Sequence, residues 1–462
     1  MWQKQGDSWS LNFTDKLTHN LQTEINILDF ALAFLYVVAI SAACIYVRLL
    51  KIKTQPHYKY FYIGLLAKMI GGIYFAIFSV FYYKGGDSLF YFEAGKACNE
   101  YITENIAENV GFFVNPYIFN DNHDFLHQYM YGSKDVLTIV YHTTIISFLG
   151  LKSYLVCTIL FSFISFIGLW LGYSNLCKIY PNASKYLLVG FFLVPTAIMW
   201  SSGILKDTIT QGAIGWILYS VSNIFVFKRR KVFGIIIIFL ASWAIFNLKP
   251  YLLYVYIPCL LIWIQSIYKA KIKSVFFKVT ILPILFISLI LLSYFISVNL
   301  SKDAGKYRFD KLGKTLEGFH SWHGFLAATQ DQSGYSLGEF EFTPLGILSK
   351  VPASLNVTYF RPYLWEVRNL PTLLGAIEGF VLLLFCLYLF VKLRLGLFSK
   401  IYKNKEAYFM MLFALIFGVV VGISSYNFGA LSRYKIPAEM FFITSLILVY
   451  YDYLAEKRIK NR

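Results

Sequence analysis

Long apolar runs alternate with short polar joints along nearly the whole chain. The runs lie at about 26–49, 61–83, 153–175, 186–200, 205–227, 232–247, 251–268, 275–298, 371–393, 407–424 and 435–454. Each comes near the roughly 20 residues that an α-helix needs to cross a bilayer. The pattern predicts an all-α polytopic integral membrane protein with about eleven transmembrane helices. A further apolar stretch at 136–149 has flanking charges and His142, which predict a helix lying on the membrane surface. Two long intervals break the alternation, at 84–152 and 299–370. The second divides into a hydrophilic part, 301–341, and an amphipathic, Pro-interrupted part, 342–370, expected to graze the interface. No internal repeat, low-complexity tract or linker splits the chain, so a single integral membrane domain over 1–462 is the expectation.

Composition agrees with that pattern. Of 462 residues, 58% are hydrophobic and only 15% charged, against about 25% charged in soluble domains. The formal net charge of +17 does not point to nucleic acid, because the basic residues form no patch on a soluble domain. They recur between apolar runs, at 48–59, 178–185, 228–231, 269–273, 392–405 and 457–462. With the N-terminus outside, every cluster falls on the cytoplasmic side, as the positive-inside rule requires. The same count puts the C-terminus in the cytoplasm and both long intervals outside. The first 25 residues are polar and lack a basic segment followed by a short apolar core. A cleavable signal peptide is therefore not expected, and the first span serves as the insertion signal. The six cysteines are scattered without ligand or disulfide spacing.

Candidate chemistry collects at the outer ends of the spans. In KGGDSLFYFEAGK (84–96), two glycines free the backbone and Asp87 opens a predicted helix. That helix places Tyr91 and Ala94 on the face of Asp87. Lys206 and Asp207 follow WSSG at the start of the fifth span, and Lys249 sits in the turn 247–250. Arg361, Glu366 and Arg368 lie in FRPYLWEVRN, Glu378 about two turns into the ninth span, and Arg433, Lys435 and Glu439 at the start of the last. Ionisable groups at membrane depth are costly and mark function. Each also has a plainer reading. Asp87 can cap a helix beginning at Ser88, and Arg361 and Arg368 can anchor at lipid phosphate. Lys68, on the inner half of the second span, is expected to snorkel to the cytoplasm. His123 with His127, and His320 with His323, have spacings that a helix can turn toward one metal, but HDFLH lacks the zinc-protease pattern. No nucleophile elbow, P-loop or dinucleotide fingerprint occurs.

GGDSLFYFEAG, WSSGILKD and FRPYLWE resemble segments of the GT-C class of membrane glycosyltransferases and of bacterial O-antigen or exopolysaccharide polymerases. In the former, an acid, then a Tyr and a small residue, follow an early span; Asp87, Tyr91 and Ala94 fit. The chain departs from the class in having a single acid, after the second span rather than a pair after the first. The resemblance implies a glycosyltransferase in the plasma (inner) membrane of a bacterium, using a polyprenyl-phosphate- or diphosphate-linked sugar donor and a glycan acceptor at the outer face. Asp87, with Asp207 second, is then the base for the acceptor hydroxyl. Lys206, Arg361, Arg368 and Arg433 offset charge on the leaving phosphate, and Tyr91, Lys249 and Glu378 complete the substrate-binding set. Trp200, Trp322 and Trp365 can stack on sugars or anchor in headgroups. Nothing in the sequence requires a cofactor, although a divalent cation fits beside Asp87. The expected partners are the lipid bilayer, the donor and the acceptor, and no nucleic acid. A transporter or flippase for lipid-linked or anionic cargo is the alternative. It would need polar residues through the bilayer, and the inner halves of the spans carry almost none apart from Lys68.

Overall fold

The computed structural model describes residues 4–5, 8–9, 25–113, 134–269, 334–341 and 343–460, with 317, 318 and 321. Regular structure longer than the two-residue pairing of Lys4–Gln5 with Ser8–Trp9 is helical. Nine helical segments among the described residues are long and apolar enough to cross a membrane: Ile27–Ile52, Pro56–Tyr83, Tyr154–Ile179, Lys206–Val226, Lys231–Leu248, Pro250–Lys269, Leu370–Leu393, Lys405–Ser425 and Ile436–Ile459. They match nine of the expected spans. The expected span at 275–298 lies outside the described residues.

The remaining expected span, 186–200, is broken. It forms two short helices, Ser184–Phe192 and Pro195–Trp200, separated at Leu193 and Val194. Pro195 explains the break. Its ring disfavours the α conformation at Val194, and it has no N–H to continue the ladder. Apolar content hid this proline from a reading based on hydropathy.

The chain forms two compact units, Met1–Ile167 with Met199–Gly212, and Gly168–Ile198 with Ala213–Arg462. In the first, α1 (Ile27–Ile52) and α2 (Phe61–Ile77) pack together. The capping box of Asn26 and Asp29 fixes where α1 begins. Side chains such as Ile27, Phe34 and Leu35 are exposed on α1, as suits a lipid-facing helix. A π-helical turn, Phe78–Tyr83, ends the second span, and α3 (Asp87–Glu104) follows. Its partner is α4 (Lys134–Leu149). The two approach so closely that a Cβ on Gly95 would lie 2.7 Å from the Thr143 side chain. Asn99 Nδ2 donates to Ser147 Oγ at 2.7 Å across this contact. Ile139, Val140, Thr143, Thr144 and Ser147 of α4 are fully buried.

The helices α5 (Tyr154–Ile179) and α8 (Lys206–Val221) each contribute to both units. In the second unit they meet through glycines: a Cβ on Gly215 would stand 2.3 Å from the Gly168 carbonyl. Small residues of this kind let helix backbones approach in a bilayer, where no hydrophobic force favours association. The second unit also holds α6 (Ser184–Phe192) and the start of α7 (Pro195–Trp200), whose last two residues belong to the first unit, then α9 (Lys231–Leu248) and α10 (Pro250–Lys269). After the second long interval come α11 (Pro344–Ser349), α12 (Val351–Phe360), α13 (Leu370–Leu393), α14 (Gly396–Lys403), α15 (Lys405–Ser425), α16 (Phe428–Tyr434) and α17 (Ile436–Lys460). An aromatic core of Tyr256, Phe409, Phe413 and Phe441 joins α10, α15 and α17.

The segment 342–370 carries exposed apolar side chains at Leu345, Leu348 and Trp365. Its helix α12 packs into the protein against α15, with Ser354, Val357, Thr358 and Tyr359 buried. Gly418 and Gly422 of α15 make room for it, and Thr358 Oγ1 donates to the Gly418 carbonyl at 2.7 Å.

Candidate functional site

The first unit gathers acids at the starts of three helices. Gly86, at φ +99°, turns the chain into α3, and Asp87 is the first residue of that helix. Gly86, not Asp87, holds the N-cap position, so the cap reading of Asp87 fails in its detail. Asp87 is exposed in the first turn, where the helix dipole favours a negative charge. Tyr91 lies one turn on, along the same face, and is buried. Its ring meets Lys206, whose Nζ stands 5.6 Å from the ring centre. Lys206 Nζ also donates to Asp135 Oδ2 at 2.7 Å, with both side chains only about a tenth exposed. Asp135 lies in the first turn of α4, and the buried Asp207 in the first turn of α8.

Sequence reasoning missed Asp135. The signal was present, since Lys134 and Asp135 open the apolar stretch 136–149, but these charges were read only as the end of a surface helix. Ser88 Oγ and Tyr154 Oη, 2.9 Å apart, fasten the start of α3 to α5 and so fix the direction in which Asp87 faces the first unit.

Between α7 and α8 the chain runs through SSGIL without regular structure, yet it is buried. Ser201, Ser202, Ile204 and Leu205 are each at most 3% exposed. Irregular backbone at membrane depth requires protein groups to satisfy it. Ser162 Oγ donates to the Ser202 carbonyl at 2.5 Å, and Thr208 Oγ1 to the Gly203 carbonyl at 2.6 Å. Lys68 supplies the rest and corrects the expectation that it snorkels. It is 1% exposed, and its ammonium donates to both the carbonyl and the hydroxyl of Ser201. Trp200 is buried as well, against the edge of Phe75, so sugar stacking and headgroup anchoring do not describe it.

The second unit holds the other predicted residues in three groups. Lys249, buried, follows α9 with its Nζ 4.8 Å from the Tyr434 ring centre, and Arg433 lies 5.9 Å from the same ring. Two cations therefore share one aromatic neighbour. Arg361 forms a fork with Glu366 and lies between the rings of Phe428, Tyr335 and Tyr363, 5.4–5.9 Å away. Hydrogen bonding to Glu366 raises the guanidinium pKa. Arg368 is exposed just before α13, and Trp365 is 81% exposed, stacked on Tyr363 at 4.8 Å. Glu378 is occupied at another helix end. Its Oε1 accepts the Thr196 N–H at 2.5 Å and its Oε2 the Thr196 hydroxyl at 2.6 Å, so it caps α7 from α13. One turn into α17, buried Glu439 pairs with buried Lys435 at 3.0 Å.

The paired histidines and Trp322 lie outside the described residues. His142 of α4 places Nδ1 2.7 Å from the Thr138 carbonyl, and burial lowers its pKa. Burial pushes the Cys98 thiol in α3 up to about 12, which makes it a poor nucleophile. Among the described residues no three His, Cys, Asp or Glu side chains are placed to hold a metal ion. Chemically, the first unit offers an exposed acid, an aromatic face and a lysine already neutralised by a carboxylate. That combination leaves Asp87 exposed as a proton acceptor, while Tyr91 is covered and sits beneath Lys206. Compared with protein-family models, curated proteins and solved structures, the chain finds no match.

Proposed function

We propose that the chain is a membrane glycosyltransferase of GT-C type, taking a polyprenyl-phosphate- or diphosphate-linked sugar at the outer face of a bacterial plasma membrane for cell-surface glycan synthesis. The observation that supports this reading most is that the first unit carries Asp87, Lys206 and Asp207 at helix starts, with Lys206 over the ring of Tyr91. Asp87 takes the proton of the acceptor hydroxyl as its oxygen attacks the anomeric carbon, and the lipid phosphate leaves. Lys206 offsets the departing charge, and Asp135 holds it in position. Lys249 and Arg433, around Tyr434, form a second pair of cations suited to phosphate. Replacing Asp87 by Asn should abolish glycan extension in cells while protein levels stay normal. Normal polymer from that variant removes Asp87 as the base.

A transporter or flippase is the second reading, and buried ionisable groups within spanning segments favour it. Lys68 and Glu439 are buried there, Glu378 is half-buried, and Lys435, which pairs with Glu439, directly precedes the last span. Lipid-linked intermediates that accumulate in a deletion strain discriminate the two. Substrate retained on the cytoplasmic leaflet supports transport, and unextended acceptor on the outer leaflet supports transfer.

A further inference from the structure

A groove of about 450 Å³ lies within the second unit, among α6, α7, α13 and α17. Its size falls in the range of small-molecule sites, about 300–1,000 Å³. The walls are apolar, and Val189, Leu193 and Val381 are themselves 39–58% exposed, so the groove borders the outer surface of the spanning helices. Two carboxyl side chains, Glu378 and Glu439, line it, and no cation does. Both oxygens of Glu378 are engaged by Thr196, and Oε1 of Glu439 by Lys435. Glu439 Oε2 is different: it is buried and accepts no hydrogen bond from any described residue, although Glu439 is only 1% exposed. A buried carboxylate oxygen left without a donor is costly, and native structures keep few of them. An apolar wall at the lipid side and an open acceptor inside together define what fits.

We propose that this groove is a binding site for an amphiphile with an aliphatic chain and an ammonium head. The chain lies against Val189, Leu193, Val381 and Ile443, and the ammonium donates to Glu439 Oε2. Complementarity of charge selects the head. The lining carries carboxyl groups and no cation, so an ammonium head meets complementary charge, whereas a phosphate or carboxylate head meets like charge in a medium of low dielectric constant. An alcohol of equal length satisfies the acceptor but not the charge, and binds more weakly. The proposal does not depend on the reaction proposed above, since it uses residues of the second unit only.

The test uses the full chain in lipid nanodiscs and long-chain alkyl probes carrying a diazirine on the chain and an amine, hydroxyl or carboxylate head. After irradiation, the amine should label peptides of α6 or α13, and excess unlabelled alkylamine should compete. The alcohol should label less and the carboxylate least. Glu439→Gln should lower competable labelling by the amine about tenfold, a change worth about 1.4 kcal/mol. Val381→Trp fills the groove from its exposed wall without disturbing the ion pair, and should remove labelling. Equal labelling by amine and carboxylate overturns the proposal, as does undiminished labelling in the Val381→Trp protein.

Discussion

At the scale of single residues, the most consequential groups are charges whose partners lie far away in sequence. Lys206 meets Asp135 across 71 residues, and Lys68 meets Ser201 across 133. Removing Lys206 takes from Asp135 a buried ion-pair partner. We expect Lys206→Met to destabilise the protein by about 3–5 kcal/mol, the range for a broken buried pair. The double change Lys206→Met with Asp135→Asn should recover part of that loss. Unfolding in detergent, read as a double-mutant cycle, measures the coupling. The pair Arg361–Glu366 is more exposed and acts on pH instead. Burial alone would raise the Glu366 carboxyl, but hydrogen bonds from Arg361 and the Tyr363 amide outweigh it and hold the pKa below 4.5. A carboxyl lowered by folding stabilises above its unfolded pKa, and that contribution is lost as the pH falls through the folded value. Acid unfolding of the native protein should therefore show a small loss below about pH 4.5, of no more than about 1 kcal/mol for so exposed a pair. Glu366→Gln should flatten this part of the curve.

At the scale of elements, close approach decides which helices pair. The packing of α12 on α15 depends on the absence of a side chain at Gly422, where a Cβ would stand 2.5 Å from the Ser354 carbonyl. Backbone cannot rotate away as a flexible side chain can, so α12 must shift. Gly422→Ala should cost about 1–3 kcal/mol, as overpacking does, and thermal unfolding of the purified protein checks it. A control at Gly396, whose Cβ would meet nothing within 4 Å, should be near neutral. Much at this scale was legible in the chain. Helix starts at Asn26, Asn369 and Asn404 follow from capping side chains within three residues of the first turn. The fit of α12 to α15 was not legible, because it rests on glycines some sixty residues away.

At the scale of the whole molecule, topology turns on the broken pair α6–α7. Ser184 to Trp200 measures about 25 Å at 1.5 Å per helical residue, close to the apolar thickness of a bilayer. The basic clusters fall on one side only if this broken pair crosses. Discontinuous helices do cross membranes where neighbouring groups satisfy the freed backbone, and Glu378 does this at Thr196. A cysteine placed at 87 should accordingly react with an impermeant reagent from outside, and one at 229 only after the cytoplasmic face is opened. Reaction of both from the same side would mean that α6–α7 does not cross, and would reverse the orientation of every later span.

What the sequence determined by itself were the properties that depend on neighbouring residues. Among the described residues nine apolar segments have the length and hydropathy of spans, and hydropathy over a window of about twenty residues needs no tertiary contact. Asp87, Tyr91 and Ala94 share a helix face for the same reason, since helical spacing alone decides it. Tertiary structure decided everything that depends on a distant partner. It brought Asp135 to Lys206, buried Lys68 under Ser201, and made Glu378 the capping partner of Thr196, 182 residues earlier. A charge on a spanning helix can pair with many groups in the chain, and its local sequence is the same whichever it finds. Only the folded chain selects one, because burial makes an unsatisfied charge too costly to leave.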